Sequence, residues 1–367
     1  MFDTDVFVLG GGPAGLAAAI AARRAGFRVI LADAERPPID KACGEGLMPE
    51  SLTAASRLGI RIPQSAGMSF RGVRFAGSHH SVNADFPEGV GLGVRRTVLH
   101  PLLVACAQEA GVEVSWGSPV TDLDGHKVRF GRNHLSARWI VGADSAQSSV
   151  RRWAGLDVFH TESRRFGFRR HYRATPWSNY IEIHWGDECQ FYLTQVATNE
   201  MCVALLSRDP HLRIHDALSR FPELNWRFAA CEPTTGGRGA LVATRRLIRV
   251  VNGQIALIGD ASGTVDPITG EGLSLAFQQA AALSEALAIG DLSLYERSHR
   301  KITCRPLFMA DLVLLLDRWP GFRTRLLTAL ESRPELFADL VAMQAGHLGF
   351  GRFVHTAALL GWKLTAT

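Results

Sequence analysis

With 367 residues, 47% of them hydrophobic and 20% charged, the chain can bury a sizeable core and divides most naturally into two units. Its formal charge of +5 is almost all scattered arginine without a nucleic-acid motif, which excludes nucleic-acid binding and suits an anionic cofactor or membrane surface. Cys43, Cys106, Cys189, Cys202, Cys231 and Cys304 form no C-x-x-C pair and no zinc spacing with histidines, so free thiols in a reducing cytoplasm are expected, without a metal site. A strand begins within about five residues of the start, leaving no room for a signal peptide, and no run reaches the ~20 apolar residues of a membrane span.

The first apolar run, residues 6–9, ends in glycines and passes into an alanine-rich segment at helical spacing. Gly10, Gly12 and Gly15, with Pro13 and Ala14 between them, fill G-x-G-x-x-G: a turn, a close backbone approach to a pyrophosphate, and a tight helix–strand contact. The helix that follows offers unpaired N–H groups and its positive end to that pyrophosphate. Residues 29–32 read as the next strand. Asp33 closes it 18 residues beyond Gly15, near the about 20 expected of an acid on an adenosine ribose. A carboxylate there repels a 2′-phosphate, which favours FAD or NAD over NADP.

Residues 36–49 form an irregular loop between prolines, carrying Cys43-Gly44-Glu45-Gly46, and a short helix from Glu50 to Leu58 follows. Residues 67–90 read as short strands, a β excursion. The chain returns through Arg96 into a helix capped at Thr97 or a neighbour and ended by Gly111. A hairpin is expected at 120–130 and a buried strand at 139–144, leading to a helix from Ser148. Residues 165–210 alternate aromatics as in the sheet of a second domain that covers a cofactor or substrate. The strand 254–260 ends in Gly259-Asp260; the turn from Pro267 through Gly270, Glu271 and Gly272 opens a long helix. Beyond Pro306 the tail is helical, and Phe350, Phe353, Leu359, Leu360 and Trp362 make its end apolar, for packing or a membrane contact.

Strand ends of an open parallel sheet converge on one crevice. There Asp260 can accept hydrogen bonds from a ribityl chain, which a nicotinamide dinucleotide lacks, so a plain NAD-linked dehydrogenase is disfavoured. The helix after Pro267 can face a flavin ring with its N–H groups.

Together Gly10 to Gly15 with Asp33, Arg96, Gly142-Ala143-Asp144-Ser145, and Gly259-Asp260 through Gly272 resemble the flavoprotein superfamily of p-hydroxybenzoate hydroxylase, geranylgeranyl reductases and flavin-dependent halogenases. The resemblance spans residues 5–290 and implies an α/β fold: a Rossmann-type FAD-binding domain with an inserted antiparallel β-sheet substrate domain and a helical C-terminal tail. The expected FAD-binding domain is 1–66, 94–164 and 245–300, the β-rich substrate domain 67–93 and 165–244, and the tail 301–367. Implied FAD contacts are Gly10, Gly12, Pro13, Ala14, Gly15, Asp33, Ala34, Cys43, Gly44, Arg96, Val120, Asp144, Gly259, Asp260, Pro267, Gly270, Glu271 and Gly272, with NADH or NADPH as a transient electron donor. Ser145 stands where the family usually has glycine.

Cys43-Gly44-Glu45-Gly46 is similar to the Cys-Gly loop of geranylgeranyl reductases, but their Tyr-x-Trp-x-Phe-Pro signature and the halogenase Trp-x-Trp-x-Ile-Pro signature are absent. Catalytic candidates are Cys43, Glu45, His184 and Glu271, with His79 and His80 behind them. The expected activity is hydroxylation of a hydrophobic aromatic, polyketide or isoprenoid substrate; double-bond reduction of the geranylgeranyl-reductase kind is the alternative. A third reading is a flavoprotein that modifies a partner protein. The protein is expected in the cytoplasm, peripheral to the inner face of the membrane if the tail touches lipid.

Overall fold

A computed structural model of the chain describes residues 1–349 together with 351, 352, 355, 356 and 359. Its first sheet has Val251–Asn252, Ile255–Leu257, Asn133–Gly142, Thr4–Leu9, Val29–Asp33 and Glu113–Trp116 in that spatial order. The central pairs are parallel. Period-two alternation divides this sheet's side chains between two cores. Val6, Val8 and Val141 meet the helices Pro13–Arg24, Arg96–Glu109 and Gly272–Ile289 on one face. On the other, Phe7 and Ile140 meet Val128 and Phe130 of the hairpin Val120–Asp124/Lys127–Phe130.

The glycine turn after Thr4–Leu9 is held by close packing. A Cβ on Gly15 would lie 1.8 Å from the Gly10 carbonyl oxygen, and Gly10 has φ +115° against Ala143. No larger residue fits either place.

A second, seven-stranded sheet runs Arg238–Leu247, Phe159–Arg173, Glu200–Ser207, Cys189–Ala197, Tyr180–Trp185, Gly72–Ala76, Ser81–Asp85. It is antiparallel except where Tyr180–Trp185 and Gly72–Ala76 pair in parallel, because these strands arrive from separate excursions of the chain. Phe191, Leu193, Val203 and Leu205 face the short helices Ile214–Leu218 and Pro222–Phe228. Ile183, Tyr192 and Leu206 face Leu316 and Val313 of a tail helix. A small three-stranded sheet, Gly46–Leu47, Gly91–Gly93 and Met68–Phe70, joins the loop after Asp40 to the second sheet's base.

Two local expectations change. The helix at 96–109 starts at Arg96, with Arg95 as its N-cap and no local side chain capping it. The tail does not begin its helix after Pro306: one 27-residue helix, Leu292–Arg318, runs through that proline. An interior proline costs about 3 kcal/mol; here Pro306, Met309 and Ala310 are buried, and tertiary packing offsets it. Pro320–Ser332 and Pro334–Ala345 complete the tail. No described helix is long and apolar enough to cross a membrane. Phe350, Phe353, Leu360 and Trp362 lie outside the described residues, whereas Leu359 packs against the Val82, Leu330 and Phe337 cluster.

Phe337 is 2% exposed, and its ring centroid lies 4.9 Å from that of Phe75. Phe337→Ala is expected to lower unfolding stability by about 3 kcal/mol, read by urea denaturation.

Candidate functional site

A cavity of about 1210 Å³ opens where the two sheets and the tail helices meet. Gly12, Pro13, Ala14 and Arg96 line one end. No side chain caps the helix Pro13–Arg24, so its first N–H groups remain available to an anion, and Arg96 Nη2 lies 4.0 Å from where a Gly12 Cβ would be. Gly10 and Gly15 stand behind this wall as the tight contact that shapes it. Asp33 cinches the same turn. Its Oδ2 accepts from Gly11 N at 2.5 Å and its Oδ1 from Glu35 N at 2.7 Å.

Asp33, Ala34, Val120 and Asp144 do not line the cavity. The Asp144 carboxylate is spent on capping: it accepts from Ser148 Oγ at 2.5 Å, Ser149 N at 2.6 Å and Val150 N at 3.2 Å. Ser145, which does line the cavity, holds φ +70° where glycine would rest unstrained.

Further along, Asp260 projects into open cavity space. Burial pushes its carboxyl up, while Lys41 and Arg96 pull it down. Among the described residues no donor reaches that carboxylate, which leaves it to a ligand's hydroxyls. Gly259 allows close approach, since a Cβ there would meet Ala14 Cβ at 2.5 Å. Gln279 Oε1 accepts from Gly259 N at 2.8 Å, and the Ser262 hydroxyl donates to Gly259 O at 2.8 Å while accepting from His299 Nε2 at 3.0 Å. Pro267–Thr269 forms one helical turn capped by Asp266, and Gly270 ends it at φ +69°. Glu271 then precedes Gly272–Ile289, a helix whose N-terminus also lacks a side-chain cap. A pyrophosphate cradle, an unpartnered carboxylate and a second open helix N-terminus stand in the order FAD needs. The residues fit the cofactor.

Cys43 and Gly44 line the cavity, and burial holds Cys43 as a thiol, with Arg96 opposing that shift. Glu45, in the left-handed region at φ +59°, is 3% exposed. Its Oε1 accepts from Arg96 N at 2.9 Å and its Oε2 from His171 Nε2 at 2.6 Å. Arg169 Nη1 donates to His171 Nδ1 at 3.1 Å, which fixes the tautomer that donates to Glu45. Arg169 also binds Asp40 Oδ1 at 2.5 Å. Both carboxylate oxygens of Glu45 are occupied, so it positions the loop rather than exchanging protons. Glu45, His171 and Cys202 place ligand atoms within 4.8 Å of one another, but the short carboxylate–imidazole bond and a thiol that burial raises well above its ordinary range make them a hydrogen-bonded cluster.

His184 leaves the set of acid–base candidates. It is 5% exposed, does not line the cavity, and binds Glu182 Oε2 at 2.9 Å. On the same strand Ile181 and Ile183 face the cavity, so alternation turns His184 away. His79 and His80 also lie outside it, and His80 pairs with Glu331 at 2.7 Å.

His100, His171, Gln279 and His299 also brace the site, and no sequence motif marks them. His100 Nε2 donates to Gly11 O at 2.8 Å and burial lowers its pKa, so a neutral ring braces the glycine turn. Its only sequence signal is the position four residues after Arg96, on the same helix face.

Residues 3–212, more than half of the chain, match the FAD binding domain family, and the chain belongs to it. The menaquinone reductase of Mycolicibacterium smegmatis is 27% identical over 320 residues, covering 79% of this chain and 78% of the relative. Digeranylgeranylglycerophospholipid reductase 1 of Methanothermobacter thermautotrophicus is 26% identical over 340 residues, covering 83% of this chain and 82% of the relative. Among solved structures, a flavoprotein/dehydrogenase from Cytophaga hutchinsonii shares the fold with a TM-score of 0.81 at 19% identity, covering 94% of this chain and 93% of that one. The protein is an FAD-dependent oxidoreductase.

Asp260→Ala is expected to weaken FAD binding about 10- to 100-fold without unfolding the chain, measured by titrating apoprotein with FAD. Burial lowers His299 to about 4 from its ordinary 6.5. The unfolded chain takes up this proton first, so the stability that neutral His299 confers is complete above pH 6.5 and is lost as pH falls toward 4. That loss is on the order of 3 kcal/mol, and unfolding curves of His299→Gln should be flatter over the same window.

Proposed function

We propose that this member of the FAD binding domain family reduces a carbon–carbon double bond in an isoprenoid chain, with a quinone-type lipid as the substrate class. The observation that carries the reading is the far half of the cavity. Beyond Pro267–Gly272 it continues between the inner face of the second sheet and the tail helices, along Val73, Phe75, Ile183, Leu206, Val313, Leu316, Phe322, Leu326 and Leu340. The polar groups set into that wall are already engaged. Tyr192 donates to Ile268 O at 3.0 Å, and Asp266 accepts at 3.1 Å from Arg165, which stands behind the wall with Gln190 and Asp317. An aromatic acid would find no free ionic anchor there, whereas a polyprenyl chain needs only apolar surface, worth about 25 cal/mol per Å² buried. Relatives named as reductases of menaquinone and of a geranylgeranyl lipid match most of this chain and support the same class.

When bound, FAD supplies the hydride chemistry. The chain's own residues hold it at Gly12, Arg96 and Asp260, shut out water with the tail helices, and lay the substrate along the sheet. A reduced pyridine nucleotide is the proposed electron source, and contact with a membrane surface is proposed as the route by which so apolar a substrate is taken up. Hydroxylation, the first expectation from sequence, ranks second because the apolar wall offers an aromatic substrate no polar anchor.

Under strict anaerobiosis, protein carrying chemically reduced FAD should convert a polyprenyl quinone to a product that, once its ring is reoxidised to the quinone, is still heavier by one pair of hydrogens in the isoprenoid chain. Incorporation of labelled oxygen in air, with the double bond intact, would refute the reading. Ala204 stands on the inner sheet face opposite Tyr192. Ala204→Phe should raise the KM for long-chain substrates by at least about tenfold while FAD affinity stays unchanged.

A further inference from the structure

Glu271 sits at the break between the Pro267–Thr269 turn and the helix Gly272–Ile289, as that helix's N-cap. A carboxylate at an N-cap ordinarily bonds the first helical N–H groups. Glu271 makes no such bond. Its side chain lines the cavity instead, and its Oε2 is shielded from solvent with no hydrogen-bond partner. Three groups bear on it: Arg305 from the helix Leu292–Arg318, Glu50 from the helix Pro49–Arg57, and the Thr269 hydroxyl of its own turn.

Their balance decides the proton. Burial and the like charge of Glu50 raise the carboxyl, Arg305 and Thr269 lower it, and the result is about 8. An ionised carboxylate with an orphaned oxygen is costly in such a place, whereas a protonated one is an acid waiting for a partner. Glu50 is itself raised by burial, with His347 and Arg305 opposing, and His347 Nδ1 lies 3.6 Å from Glu88 Oε1.

We propose that Glu271 is the catalytic acid for double-bond saturation, an inference that rests on the reduction proposed above. One alkene carbon gains a hydride from reduced FAD, the co-reactant. The π pair shifts to the neighbouring carbon and forms a C–H bond with the carboxyl proton of Glu271, whose O–H bond breaks to leave the carboxylate. The substrate gains two hydrogens, one as hydride from reduced FAD and one as the proton of Glu271, which recovers its proton from water. Glu45 does not compete for this role, because both its oxygens are held by Arg96 and His171.

The test compares holoenzyme with the Glu271→Gln and Glu271→Asp variants, using a polyprenyl quinol, whose ring takes no further electrons, in detergent micelles. Anaerobic single-turnover reoxidation of the reduced flavin is followed by absorbance across pH. Wild type should slow as pH rises through about 8, where the acid is lost; E271Q should be at least about 100-fold slower and lack that limb; E271D should recover part of the rate. Two readouts do not depend on turnover. FAD affinity of E271Q should stay within about twofold of wild type, and carbon NMR of glutamate-labelled protein should show one carboxyl titrating near 8 that E271Q lacks. An E271Q enzyme with wild-type rate and pH profile, or a Glu271 carboxyl titrating at the ordinary 4.5, overturns the assignment alone. Wild type that leaves the double bond intact overturns the reduction reading as well, so the two failures are distinguishable.

Discussion

The Glu45 carboxylate is the tie on which the arrangement of the site depends. It lies in the loop after Asp40, yet it caps Arg96 N at the start of one helix and accepts from His171 Nε2 on the long strand of the second sheet. Three separate parts of the chain therefore take their spacing from one buried anion. Such an anion is tolerated because both oxygens are satisfied, and each charge-assisted bond contributes about 1.5–3 kcal/mol that vanishes if its partner is removed. The backbone N–H of Glu45 also meets Cys43 Sγ at 3.4 Å, so the thiol's place is set by the same loop. Arg96 is left with its side chain free to reach over Gly12, because its backbone is capped by someone else's carboxylate.

From that tie the cavity divides into two kinds of surface. The end at Gly12, Arg96 and Asp260 presents groups whose hydrogen bonds remain to be made, which suits a polar cofactor. Behind the other end the charged groups are paired with one another. Arg165, 3% exposed, is held between Asp266 and Gln190, and Asp317 is held by Gln190 and by Arg208 Nη2 at 2.9 Å. These ions are desolvated in the folded chain already, so an entering apolar molecule has no charge to strip of water. Asp266 belongs to both halves: it caps the turn that leads to Glu271, and it is Arg165's partner. Glu271 therefore stands at the seam, where an acid can reach both cofactor and substrate.

What was legible in the sequence is what neighbouring residues decide. The strand at Thr4–Leu9, its glycine turn and Asp33 are read from spacing alone, since local sterics require them. The sheet after residue 165 is read from alternation, but alternation says only that Ile183 and His184 face opposite ways, and not which face holds the cavity. That depends on where the tail helices pack. The start of the helix at Arg96 was blurred for a related reason: its cap comes from Glu45, 51 positions away in sequence. His100 and Gly11 are separated by 89 positions, and His299 and Ser262 by 37, so no local pattern announces either bond. Pro306 misleads in the other direction, because a local rule for breaking helices yields to burial.

The distribution of the site along the chain separates what it holds from what it acts upon. Residues 3–212 match the FAD binding domain family, and within them lie the pyrophosphate cradle, the Cys43 loop and Glu45. The apolar roof over the substrate sheet comes almost wholly from later residues, in the helices Leu292–Arg318, Pro320–Ser332 and Pro334–Ala345. This roof is fastened to the sheet at its far edge, where Arg323 donates to Gly186 O at 3.1 Å and to Asp187 Oδ1 at 2.6 Å. At the cavity's other margin Gln344 donates to Thr269 O at 3.1 Å, so the same helices also rest on the turn that carries Glu271. A change of side-chain volume in the roof alters the space for substrate without touching Arg96 or Asp260, whereas a change in how the roof seats alters the burial of Glu271 and with it the proton. Gln344 and Thr269 thus join the roof to the turn of the proposed acid, the same turn that opens the helix N-terminus facing the cofactor.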